Sequence, residues 1–376
     1  MRNNIIILGA FAYMFVVGSC GPRGKSIADY SDSPVSDTLF ISTDIGNYSR
    51  IMNYADTIHF VILKEDENTM YSDINRVIDA YGRYFILDMS GSRKVVAFDY
   101  NGNPLTSYGK RGNGPGEFVF PWAMDVDSNF VYVLDVSQRK VISYTHDGAY
   151  VSERKLPFFP GSFIALDNGD FLFNLDPNDE SGFQLCKTDS LMNPLEYMIP
   201  YPDNCVGGWV TNDLFRRKDE TITYYQSPYD TIYDLNKAGN IVARHALEFE
   251  DGPISEEAKL DYIKAEGDGL LNKGMQLLNN PVSLPNGIIV SEIYRDLKKY
   301  TVLNMGTSFS GGKIFDDNVS AFDIITPCSV DRNGNLISFI DKDIASKCND
   351  YQMLPDSIKS ALDEGNRVLM IQSFNP

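Results

Sequence analysis

Histidine, tryptophan and basic charge are what this chain of 376 residues has least of. It holds 3 His and 2 Trp, and 33 Lys and Arg stand against 51 Asp and Glu, for a formal charge of −18. A surface that acidic repels phosphates, which argues against nucleic acid and anionic membrane surfaces as partners. His59, His146 and His245 are scattered, and none lies within a few residues of a cysteine, so a zinc-type ligand set has nothing to form from. No Cys-x-x-Cys spacing and no Gly-x-Ser-x-Gly elbow occurs, and with no nucleophile beside a His base no catalytic residue is assigned. The uncharged run from Ile5 to Val17 is shorter than the about 20 residues a membrane-spanning helix needs.

That run follows Arg2 and reads as the apolar region of a signal peptide over residues 1–19. Val17-Gly18-Ser19-Cys20-Gly21 places two small residues directly before a Cys and resembles the lipobox of bacterial lipoproteins. The resemblance implies that Cys20 is acylated and becomes the first residue, which anchors the protein without a spanning helix, since several acyl chains hold where one does not. Residues 20–36, rich in Gly, Ser, Pro and Asp, read as a flexible tether. Gly21-Pro22-Arg23-Gly24-Lys25 lacks the acidic export signal of some gut-bacterial lipoproteins, so the expected place is the periplasmic face of the outer membrane.

What the chain does have is turn-formers and aromatics: 29 Gly, 18 Pro and 12% Phe, Trp and Tyr, within 43% hydrophobic residues. This suits short strands separated by many turns, and the fold class expected is all-β. Tyr84–Asp88 is answered by Val131–Asp135 and by Phe171–Asp176, and each run is followed by a second and then by a turn such as Asn101-Gly102 or Asp147-Gly148. Such turns are expected to be two-residue hairpin corners with both residues at positive φ. Short antiparallel strands recurring at roughly 45 residues mark propeller blades, each able to bury its faces only against its neighbours. About 300 residues at that period make about six blades.

Tyr108 to Phe118, then Pro121, Ala123–Asp127, Val131–Asp135 and Arg139–Val141, resembles an NHL repeat. The whole chain, lipobox included, resembles the six-bladed β-propeller lipoproteins of gut bacteria, a family whose activity is largely unassigned. The resemblance implies a six-bladed propeller over residues 37–376 with short helical insertions. One insertion is read at 248–280, where Ser255 caps a helix from Glu256 to Ala265. A second helix covers Asp356 to Glu364 and ends at Gly365-Asn366, and the strand Arg367–Ile371 is expected to pair with Thr57–Leu63 and close the ring.

Several local features are weighed against plain structural roles. Gly109 to Gly116 could cradle a phosphate, yet it opens no helix and is expected to link two blades. Asp125-Val126-Asp127 has the first ligand positions of a calcium loop, but Phe130 and Val136 occupy the positions of its Gly and Glu. Asp88, Asp135 and Asp176 are expected to bond turn N–H groups. Cys186, Cys205, Cys328 and Cys348 read as buried thiols with room for one local bridge, Cys328 to Cys348. No cofactor is expected, with a structural or axial Ca2+ as the open alternative, and the metal ligands are left unassigned.

Binding is the function class these residues favour. Trp209 with Arg216 and Arg217, Trp122 in an interblade loop, and Tyr225 are the candidate ligand contacts for a glycan or peptide. The expectation is a monomeric, noncatalytic binding or scaffold module whose partners are the bilayer, through Cys20, and a glycan, peptide or envelope protein. The competing expectation is a metal-dependent hydrolase or lyase with its site on the propeller axis.

Overall fold

The computed structural model describes residues 27–28, 35–41, 55–206, 214–218, 220–284, 288–295, 298–305, 308–314, 327–348 and 350–374. Most of their strands form six sheets, each with a core of four antiparallel strands, that follow one another around an axis as the blades of a propeller. Blade 1 holds the strands Arg76–Ala80, Arg83–Asp88, Lys94–Asp99 and Pro104–Tyr108, innermost first. Blade 2 begins at Pro121–Val126, blade 3 at Pro160–Ala165 and blade 4 at Phe215–Lys218. In blade 5 the innermost strand is broken into Met275–Leu277 and Val282–Ser283, both lying along Ile288–Arg295. Blade 6 takes Pro327–Val330, Leu336–Ile340 and Arg367–Phe374 from the end of the chain and Ala55–Leu63 from its beginning. Arg367 faces Leu63 and Ser373 faces Thr57, which is the expected closure.

Each blade's residues alternate between two covered faces, so the hydrophobic core is distributed among the blade-to-blade interfaces. Phe85, Tyr108, Met124 and Ile142 fill the interface of blades 1 and 2. Leu134, Phe163 and Phe173 fill that of blades 2 and 3, with Phe163 and Phe173 stacked at 5.8 Å. Phe215, Ile222 and Leu235 of blade 4 meet Leu172 and Leu185 of blade 3. Full burial of such a side chain stabilises by about 1.5–3 kcal/mol, and no interface can have it without its neighbour.

The hairpin corners differ from expectation. At Asn101-Gly102, Asp147-Gly148 and Asn333-Gly334 only the glycine has positive φ, at +74°, +88° and +81°. The Gly102 N–H donates to Asp99 O and the Asp99 N–H to Asn103 O. This is a type I turn closed by a left-handed glycine bulge, which lets the preceding Asp accept turn N–H groups, as Asp99 does from Asn101 and Asn103 at 2.8 Å. The two-residue corner with both φ positive is Tyr81-Gly82, at +49° and +79° between the paired Ala80 and Arg83.

Ser255 does cap a helix, its Oγ accepting from Ala258 N at 3.2 Å. The helix is broken, however, into Glu256–Leu260 and Tyr262–Gly267, because Asp261 leaves helical φ/ψ and caps the second piece through Lys264 N. Asp356–Asp363 ends at Gly365 with φ +89°, where the Asn366 N–H returns to Ala361 O. Cys186, Cys328 and Cys348 are buried thiols and Cys205 is half-buried, so the suggested Cys328 to Cys348 bridge is not formed.

Ahead of the closing strand, Asp37–Ile41 lies parallel to Ile241–Phe249 on the outer edge of blade 4. Within the stretch expected as a tether, Ile27–Ala28 pairs with Tyr197 and Met198 of blade 3, and the Ser36 N–H donates to Arg244 O.

Candidate functional site

The innermost strands of the six blades enclose an axial cavity of about 1150 Å³. It is lined by strand residues such as Ile78, Asp125, Arg216 and Ser329 and, at one end, by the turns that follow these strands. Ring geometry makes such a cavity, because blades splay apart as they leave the axis and only the innermost strands face it. The volume lies slightly above the about 300–1,000 Å³ of small-molecule sites.

Charge enters the cavity from several blades. Arg217 of blade 4 reaches blades 2 and 3, where its Nη2 donates to Asp125 Oδ2 at 2.7 Å and to Ala165 O at 2.6 Å. Asp125 is buried and also accepts from the Ala165 N–H at 2.8 Å. Arg216 donates through Nε to Asn280 O at 2.8 Å and through Nη1 to Cys328 O at 3.1 Å. Arg76, buried, places Nη2 3.4 Å from Phe215 O. At the mouth, Asp79 accepts from Tyr100 Oη at 2.7 Å and from the Arg332 N–H at 3.2 Å. Burial raises the Asp79 pKa, and these two hydrogen bonds offset part of that rise. Arg332 lays its guanidinium 4.6 Å over the Tyr100 ring.

Among the residues the sequence singled out, Arg216 and Arg217 line this cavity. Tyr225 does not reach a groove. It is fully buried between blades 4 and 5 and its hydroxyl donates to Leu277 O at 3.0 Å, so the expected contact role gives way to packing. Trp122 is half-buried against the core between blades 2 and 3, with its ring 5.6 Å from Phe120. Trp209 and Cys20 lie outside the described residues.

The glycine-rich connection binds carboxylates of the protein itself. The Gly114 N–H donates to Glu117 at 2.8 Å and the Gly116 N–H to Glu153 at 3.3 Å, while Lys110 pairs with Glu117 at 3.2 Å. The donors a phosphate would need are therefore taken. Asp127 accepts from the Asn129 and Phe130 N–H groups at 2.7 and 2.8 Å and from Tyr132 Oη at 2.8 Å, which is a turn role. Asp88 accepts from the Ser72, Gly91 and Ser92 N–H groups, and Asp135 from Val119 and Gln138. Asp176 accepts from Asn178. Among the described residues no three His, Cys, Asp or Glu side chains are grouped to hold a metal ion.

Tyr81 was not anticipated. It sits at the cavity rim with half its surface exposed, 5.0 Å from the His146 ring, in a left-handed conformation costly for a bulky residue. The available signal was a Tyr-Gly pair at a corner where blades 3 and 6 carry Asn168-Gly169 and Asn333-Gly334.

Comparison with solved structures gives the fold a context. A protein of Bacteroides fragilis described as exported superposes with a TM-score of 0.73 at 18% identity, over 91% of this chain and 100% of that one. A DUF4221 family member from Bacteroides vulgatus gives a TM-score of 0.50 at 12% identity, over 85% and 97%. No curated protein matches the sequence. Among the described residues no helix is long and apolar enough to cross a membrane. Residues 35–277, more than half of the chain, match a family described as a 6-bladed β-propeller. The chain belongs to that family, DUF5128.

Proposed function

We propose that this protein is a noncatalytic binding module of the cell envelope, held at the periplasmic face of the outer membrane by acylated Cys20, that takes a small ligand in its axial cavity. The observation that supports this reading is the cavity itself: about 1150 Å³, reached by guanidinium and carboxylate groups from several blades and rimmed by an exposed Tyr81. The wall is mixed, with apolar strand residues such as Ile78 and Ile164 between the charged groups, and polar groups that converge on one space are what orient a bound ligand. The exported character attributed to the B. fragilis protein of the same fold points the same way for the envelope. An axial metal hydrolase or lyase has less support, because Asp79, Asp125 and Asp127 are each turned to protein donors.

The test is a thermal-shift screen of the detergent-solubilised chain against oligosaccharides, peptides and divalent metals with chelator controls. A ligand that binds only the folded state stabilises by about 2.7 kcal/mol at a hundredfold excess over its Kd. Ser128, exposed at the cavity mouth, gives the control. Ser128→Trp should abolish the shift of a cavity ligand, and a shift that survives it would place binding elsewhere. A shift only with metal, reversed by chelator, would favour the enzyme.

A further inference from the structure

Acidic as the chain is overall, with a formal charge of −18, it sorts its charge within blade 2. Asp127 and Asp147 stand at the turns beside the cavity mouth, whereas Lys110, Arg111, Arg139, Lys140, Arg154 and Lys155 stand at the opposite end, the base. The carboxylates at the base are already matched. Glu117 pairs with Lys110 at 3.2 Å and Glu153 with the buried Lys140 at 2.9 Å, while Asp135 accepts the N–H groups of Val119 and Gln138. Arg111, Arg139, Arg154 and Lys155 are exposed and have no carboxylate partner among the described residues. These residues form one strip along the base. Lys155 Nζ donates to Gln138 O at 3.1 Å, Gln138 Nε2 donates to Gly112 O beside Arg111 at 3.3 Å, and Arg139 lays its guanidinium 4.9 Å over the ring of Phe159. Phe159 is 49% exposed, which sets an apolar ring among the cations. Asp179, which accepts the Phe159 N–H at 2.8 Å, ends the strip toward blade 3.

What covers this strip follows from where the chain is held. Cys20 stands seven residues before Ile27, which pairs with Tyr197 on the outer strand of blade 3. Seven residues reach at most about 25 Å, so acyl chains on Cys20 keep the outer rim of blades 2 and 3 close to the lipid headgroups. On that rim the mouth side carries Asp147, Asp167 and Asp189, which phosphates repel, and the base of blade 2 carries the unmatched cations. The distant acids do not cancel the strip, because at physiological salt fields decay within about 8 Å. Basic side chains interleaved with an exposed aromatic ring suit a lipid interface, where the cations stay with the phosphates and the ring is taken up between them.

We infer that the base of blade 2 is a lipid-docking surface, on which Arg111, Arg139, Arg154 and Lys155 meet the phosphates of anionic phospholipid and Phe159 enters the headgroup layer. It rests on the acylation of Cys20 proposed above. Each such cation contributes about fivefold in affinity, so the strip orients a chain that the acyl groups already hold and does not retain a released one. The mouth of the axial cavity is thereby turned away from the bilayer.

Hydrogen exchange of the acylated full chain tests this on two vesicle compositions, phosphatidylcholine alone and equimolar phosphatidylcholine and phosphatidylglycerol. Amides of residues 110–118, 136–140 and 154–159 should exchange about fivefold more slowly on the anionic vesicles. That protection should vanish in about 1 M salt, where the Debye length is about 3 Å. The mouth turns at 127–129 and 167–169 should exchange alike on both. Arg139→Glu combined with Lys155→Glu should abolish the protection and leave the melting temperature in detergent little changed. Should that variant fail to fold, the two compositions and the salt dependence decide on the unaltered protein. Equal exchange at the base on the two vesicles, or protection of the mouth turns instead, overturns the inference. Protection of the base by polygalacturonate in detergent, with none on anionic vesicles, removes the lipid and gives the strip to an acidic polymer. Failure to float with the neutral vesicles would refute the acylation of Cys20, whereas flotation on both compositions without protection at the base refutes the docking alone.

Discussion

Arg217 on the innermost strand of blade 4 donates to Asp125 on the innermost strand of blade 2 at 2.7 Å, bridging two blades that are not neighbours. Blade 3 lies between them and contributes Ala165, whose N–H and O bond the carboxylate and the guanidinium in turn. Three blades are therefore tied at one point on the axis. Removing Arg217 would leave the buried Asp125 with a single donor, which costs about 1–3 kcal/mol. We expect Arg217→Met to lower unfolding stability by that amount and Asp125→Asn to recover part of it in the double variant. Denaturant midpoints of the four proteins in a double-mutant cycle measure this, and additive effects would refute the coupling.

The Asp37–Ile41 strand is fastened to blade 4 by charge. His245 bonds Asp234 through Nε2 at 2.9 Å and Asp37 through Nδ1, and its pKa is pushed up to about 9, first by the Asp234 hydrogen bond. Because the folded value lies above the ordinary 6.5, this contribution is complete below about pH 6.5 and is lost as pH rises through about 9. The melting temperature should fall between pH 7 and 10 more steeply in the native protein than in His245→Gln. Parallel slopes for the two would contradict the assignment.

Gly102 is the tightest corner next to the closing strand. It has φ +74°, and a Cβ there would stand 1.9 Å from Ile62 O, while its own carbonyl accepts the Lys64 N–H at 2.8 Å. Gly102→Ala should destabilise by more than the about 1–2 kcal/mol of left-handed strain, since the Ala55–Leu63 strand must also shift. Gly82, with φ +79° and nothing within 4 Å, isolates the strain from the clash, so Gly82→Ala should lower the melting temperature less.

Acylation of Cys20 carries the proposed location. Cys20→Ala should move the protein from the membrane pellet to the soluble fraction, with labelled fatty acid no longer incorporated. Continued membrane retention of the variant would remove the anchor.

The blade count was readable because three hydrophobic runs ending in Asp88, Asp135 and Asp176 repeat in register, and the closing pair was readable because both strands are apolar and sit at opposite ends of the chain. Tyr225 was misjudged for a physical reason. Alternation along a strand separates a buried from a solvated face only when one face is open, and here Tyr224 and Tyr225 are both fully buried because neighbouring blades cover both. The turn type was misjudged because Asn-Gly and Asp-Gly fit both a two-residue corner and a glycine bulge, and the Asp ahead of the turn settles the choice by accepting its N–H groups. Arg216 and Arg217 drew attention through their neighbourhood in sequence. Their actual partners, Asn280, Cys328, Asp125 and Ala165, come from four other stretches of chain, which no local pattern reports.

The joint in blade 6 also fixes an order of events during biosynthesis. Thr57 leaves the ribosome well before its partner Ser373, which follows 316 residues later, so the first strand of the ring waits for that distant segment to be made. Blades 1 to 5 can assemble as they emerge, each on its predecessor, while blade 6 stays one strand short and its flank toward blade 1 uncovered. The entropy of joining ends that far apart grows only slowly, by about 0.6 kcal/mol per doubling of length, so the cost falls on time rather than on stability. Until the last strand arrives, an unpaired edge of Leu336–Ile340 is presented to other chains; in the finished protein loss of Arg367–Phe374 would reopen that edge, and loss of Ala55–Leu63 would uncover Arg367–Phe374 instead.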